Sequence, residues 1–203
     1  MFRLDDKFDV NFLRVQCEGA RSRIYGFILY TRKDAYVIKF LKDFDFCNSL
    51  HELSGPNWPI FYINPTQRRR EENCFTGTMN YMTSYSFEDF YTRDSTREIF
   101  NYFGLDSNSD APCFVTFIWG DDNQLRSFVI SIDGSSEESV FKNLSAIVSS
   151  ITDAESHILE EYKSTDRVFL QVKSNLEALK FKYKVQKFVN KAVPFVEFFS
   201  NFR

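Results

Sequence analysis

The sequence predicts an α/β domain with elements in the order β-α-β-α-β-β-α, followed by a long C-terminal helical extension of coiled-coil type. Three observations predict it. Residues 113–119 (CFVTFIW) and 125–132 (LRSFVISI) are rich in β-branched and aromatic side chains on either side of the polar turn 120–124 (GDDNQ), which is the pattern of a hairpin. Two shorter runs, 24–30 (IYGFILY) and 58–64 (WPIFYIN), are nearly uniformly apolar, as buried parallel strands are, and a helical pattern separates them. From Thr152 to Val193 no Pro or Gly interrupts a seam of apolar residues spaced alternately by four and three.

In chain order, residues 1–23 form a mixed lead-in where Val10, Phe12, Val15 and Cys17 suit a short edge strand. After the first apolar strand, Asp34 stands as N-cap of a helix whose buried face holds Val37, Phe40, Leu41 and Phe44, and Gly55-Pro56 ends it. Pro65 stops the second strand. Residues 66–93 then lose the pattern. An arginine triplet (Arg68, Arg69, Arg70) lies beside Glu71 and Glu72, and Phe75, Tyr81, Tyr85, Phe87, Phe90 and Tyr91 follow. This reads as a long aromatic insertion, a kind of segment that often carries function. The adjacent acids favour a solvated charged turn over a phosphate grip for the triplet. Ser95 and Glu98 make a capping box for a short helix through Ile99, Phe100 and Phe103, which Gly104 stops. Pro112 opens the third strand, where a missing N–H costs the ladder least. Ser135 and Glu138 make a second capping box, for a helix burying Val140, Leu144, Ile147, Val148 and Ile151.

With 203 residues, the chain has room for one sizeable domain, 1–151, and an arm, 152–203. Its 24 Phe and 10 Tyr supply core material that argues against disorder, and a net charge of −3 gives no global pull on nucleic acid. Arg3, Asp5, Asp6 and Lys7 break up the N-terminus, which is unlike a secretory leader, and no run of about 18 apolar residues offers a membrane span. A soluble, cytoplasmic protein is expected. Cys17, Cys47, Cys74 and Cys113 form no C-x-x-C pair, and neither His51 nor His157 has a metal-spaced neighbour. Four separate reduced thiols are expected, with no metal and no cofactor.

The order of elements over residues 24–151, with a proline at the head of the third strand and a hairpin into the fourth, resembles the thioredoxin fold. The resemblance covers roughly two-thirds of the chain and puts Ala111-Pro112 where that family keeps its cis-proline. Where thioredoxins carry W-C-x-x-C, this chain has Thr31-Arg32-Lys33-Asp34. The nucleophilic thiolate and its resolving partner are both missing, so the resemblance implies the fold without the disulfide chemistry. One enzymatic alternative remains: a thiol role for Cys113 beside Pro112, or a glutathione-dependent activity using Tyr30 or Thr31. Those two residues stand where the similar glutathione transferases place a reactive hydroxyl or thiol.

In the arm, the seam runs through Ile158, Tyr162, Thr165, Phe169, Val172, Leu176, Leu179 and Tyr183. It must be buried on its own body, on a twin in a dimer, or on a partner. Lys180, Lys182, Lys184, Lys187 and Lys191 follow with no intervening acid, interleaved with Phe181, Val185, Phe188 and Val189; Pro194 ends the helix and 195–203 form an aromatic tail. Together these features read as a non-catalytic protein-interaction or assembly module acting through its C-terminal helix, with a protein or a second copy as partner. Residues 1–151 are expected to fold without the arm. The alternative for the basic amphipathic segment is a peripheral membrane surface, or less favourably nucleic acid.

Overall fold

Four strands pair into one mixed sheet in the order β2-β1-β3-β4: β1 (Tyr25–Leu29), β2 (Ile60–Tyr62), β3 (Cys113–Trp119) and β4 (Leu125–Ser131). They belong to a computed structural model that describes residues 22–55, 58–62, 93–120, 122, 124–158 and 164–200, with side chains for all of these but 93–96 and 185–200. β1 is parallel to β2 and antiparallel to β3, and β3 is antiparallel to β4. The described helices are α1 (Ala35–Lys42), α2 (Phe44–Ser54), α3 (Arg93–Tyr102), α4 (Glu137–Ser156) and α5 (Thr165–Ser200).

Strand period and register sort the core into two faces. Tyr25, Phe27, Phe61 and Phe117 lie on one face, where their rings stack or tilt against each other, while Phe103, just beyond α3, meets Phe27 edge-on and Phe117 at a tilt. Gly26, Ile28, Phe114, Thr116 and Ile118 lie on the other. Gly26 has no room for a side chain: a Cβ there would stand 2.4 Å from the Phe114 ring and 2.9 Å from Trp58. Trp58 Nε1 donates to Thr152 Oγ1 at 3.2 Å, and that hydroxyl donates to the Leu53 carbonyl at 3.1 Å, tying the entry to β2, α4 and α2 together. α4 packs on α1 and α2, and α5 packs on α4, β3 and β4.

Several boundaries differ from the sequence reading. The first helix is two helices, because Asp43 breaks it and caps the second, accepting from the Asp45 and Phe46 N–H groups at 3.0 and 3.4 Å. Phe44 therefore starts a new helix and is 71% exposed, while Val37, Phe40 and Leu41 are buried as expected. Asp34 precedes α1 but makes no cap bond into it; its carboxylate accepts from the Thr31 N–H and Oγ1 at 2.6 and 2.8 Å. α3 is already helical at Arg93, two residues ahead of Ser95. The cap of α4 is Ser136, accepting from the Ser139 N–H at 3.1 Å, one residue past the expected Ser135.

The arm is not one helix from Thr152. α4 runs through residue 151 to Ser156, so a domain boundary at 151 would cut a helix, and α5 starts anew at Thr165. Pro194 does not end α5, which continues to Ser200 without the bond a residue-194 N–H would donate to the Asn190 carbonyl. The lead-in strand (Val10, Phe12, Val15, Cys17) and the insertion 66–92 lie outside the described residues.

Candidate functional site

Ser164 starts α5: its carbonyl accepts from the Val168 N–H at 3.1 Å and its Oγ from the Arg167 N–H at 3.3 Å. Val168, Phe169, Val172 and Leu176 are then buried in the core, Leu179 packs against it, and Ile158 does the same from the connection before α5. Polar contacts fix the same side. Arg126 on β4 pairs with Asp166 in the first turn of α5 and, at 2.9 Å, with Asp122 in the hairpin turn. Asn175 Nδ2 donates to the Ser150 carbonyl of α4 at 3.3 Å. Lys180 stands 5.8 Å above the Phe128 ring of β4. Tyr183 is half-buried; burial raises its phenol above the ordinary range, and its hydroxyl meets no hydrogen-bond partner among the described residues.

The seam expected to bind a partner is thus filled by the protein itself from Phe169 through Leu179. An amphipathic helix beside an exposed sheet edge and a long helix buries its apolar stripe there first, since that surface is tethered to it. Tyr162 lies outside the described residues, and the side chains of Lys187 and Lys191 outside those described.

The opposite side of α5 is where exposure concentrates. Leu170 is 63% exposed and Phe181 is 69% exposed, and Lys182 and Lys184 are exposed beside Phe181. Sequence reasoning missed Leu170. The signal was available: eleven residues separate Leu170 from Phe181, close to three full helical turns, so both fall on one line out of phase with the seam. The Arg126–Asp166 pair had no local signal, because Asp166 stands 40 residues beyond Arg126.

The residues of the enzymatic alternative take other roles. The Ala111–Pro112 bond is cis, and the Ile132 N–H donates to the Pro112 carbonyl at 2.9 Å. Cys113 is fully buried in β3 between Leu29 and Ser131, and burial pushes its thiol up to about 12, so it stays protonated at neutral pH. Cys47, the other described free thiol, is buried and also raised by burial. Tyr30 is buried, and the Thr31 hydroxyl is committed to Asp34.

A polar hollow of about 1110 Å³ opens at the end of α3, lined by Arg97, Asn101, Leu105, Asp106, Ser107 and Asn108. Asp106 uses its carboxylate on the loop itself, accepting from the Asn108 N–H at 3.0 Å. Among the described residues no group of three or more His, Cys, Asp or Glu is placed to hold a metal ion, and no helix is long and apolar enough to cross a membrane.

Comparison with known proteins finds no match: no family model, no curated protein and no solved structure is similar to the chain.

Proposed function

We propose that this protein is a non-catalytic, thioredoxin-like assembly module that works by docking, with its C-terminal helix as the contact element. The order and directions of its four strands support the thioredoxin-like reading. Thr31 to Asp34 offer no thiol where that family has two, and the protonated, buried Cys113 is no substitute. The observation that carries the docking role is the pair of faces on α5: Val172 and Leu176 complete the protein's own core, while Leu170 and Phe181, on the far side, are left to solvent. Large apolar side chains in line on a helix, with exposed lysines beside them, mark a contact surface.

The reading is tested by replacing both outer residues in the full chain, Leu170→Ser with Phe181→Ser, and measuring unfolding in urea. A surface reserved for contact should leave stability within about 0.5 kcal/mol of the parent for each change. A loss of several kcal/mol would make that face part of the protein's own core and end the proposal.

A further inference from the structure

α5 carries two apolar sectors in succession, on opposite sides. An α-helix turns about 100° per residue, so Val168, Phe169, Val172, Leu176, Leu179 and Tyr183 share one sector, the one laid on the body. By the same count Phe181 and positions 185, 188, 192, 195 and 199, occupied by Val, Phe, Ala, Phe and Phe, fall in a second sector. That sector spans roughly a quarter of the circumference and lies roughly opposite the first. Leu170 already stands in line with it. Positions 180, 184, 187 and 191, all lysine, run along one border, and Lys182 stands at the other. No acid occurs between Glu177 and Glu197.

Charge decides what such a sector meets. A second copy laid against it would bring five lysines to face five, with repulsion along the whole contact. The chain's own remaining segments offer no strongly acidic counterpart: residues 1–21 hold four acids and four bases, 63–92 hold four acids and three arginines, and 159–163 hold two acids and one lysine. A groove on another protein reads discrete anchors, whereas this sector repeats Phe, Val and Ala continuously and is bordered on both sides by lysines. Lysine stems run along apolar surface while their ammonium groups stay in water, which is the anatomy of a helix lying in a membrane interface.

We propose that the C-terminal half of α5, from Phe181 onward, lies in the plane of an anionic lipid surface. Its second apolar sector faces the acyl boundary, the lysine-bearing borders of that sector face the headgroups, and the body is held on the water side. This rests on the reading of α5 as the contact element and names the surface it contacts.

The test is flotation of the full-length protein with phosphatidylcholine vesicles prepared with and without phosphatidylserine. Binding is expected only with the anionic lipid and should be released by high salt. Each basic residue near such a surface strengthens binding roughly fivefold, so Lys182→Gln, Lys184→Gln, Lys187→Gln and Lys191→Gln combined should weaken it by roughly several hundredfold. Lys180 is left in place because it also covers Phe128. Phe181→Ser with Phe188→Ser should abolish binding. Equal flotation on both vesicles, or flotation on neither, overturns the lipid assignment. If flotation fails and light scattering gives a mass that rises with concentration, a second copy occupies the sector and the docking role survives. If flotation fails and Phe181→Ser unfolds the protein, both proposals fall together.

Discussion

The two sides of α5 are built from the same kinds of residue and do opposite things. Leu176 and Leu170 are both leucines on one helix, six residues or about one and two-thirds turns apart, yet Leu176 is fully buried and Leu170 is mostly exposed. What separates them is phase: Leu176 stands over α4 and the sheet, and Leu170 stands on the side away from them. Hydrophobicity alone therefore does not say which residues form a core. The angle at which they leave the helix, and what lies at that angle, decides it.

The sharpest way to break this comparison is to truncate one residue on each side. Leu176→Ala removes a fully buried side chain and should cost about 2–5 kcal/mol, the range for large-to-small changes in a packed core. Phe181→Ala, on the exposed side, should stay within about 0.5 kcal/mol. Urea unfolding of the two variants checks this, and equal losses would abolish the distinction. The sheet supplies a reference for what core packing is worth. Gly26→Ala forces a methyl into the Phe114 ring and Trp58, an overpacking expected to cost roughly 1–3 kcal/mol. If Leu176→Ala costs clearly less than Gly26→Ala, α5 is a looser addition to the sheet.

A smaller effect tests the polar side of the same contact. The Gln124 backbone N–H, and after it Arg126, hold the Asp122 carboxyl below its ordinary range. A carboxyl whose folded value is depressed supports the fold at neutral pH, and that support fades as pH falls through the lowered value. Asp122→Asn should therefore lower the urea midpoint slightly at neutral pH, and the two proteins should converge in acid. A difference that grows on acidification would contradict the pairing. The smallest expected signal concerns Cys113. With its thiol pushed up to about 12 and no exposure, it should escape iodoacetamide in the native protein and react only in denaturant, as peptide mass mapping would show.

Much of the fold was legible because its signals are local. The runs at 24–30 and 113–119 announce strands through composition, and Val140, Leu144, Ile147, Val148 and Ile151 announce one face of α4; all five are buried. The misreadings came from residues whose role depends on what stops near them. Phe44 fits the spacing of the preceding helix, and only the cap made by Asp43 shows that a new helix begins there. The seam in α5 was found by its spacing, but spacing does not name the surface that covers it. Once α4 and the sheet are known to do so, the second sector stands out. Asp166 could not be matched to Arg126 at all, because chain order carries no record of which surface charges meet.

The most direct measurement is amide hydrogen exchange along α5 in the full-length protein. Residues 168–179 should be protected to the same level as β3 and α4, since their side chains complete that core. Fast exchange over 168–179 while the sheet stays protected would mean that α5 is a detachable arm, and the assignment of its two faces would be wrong.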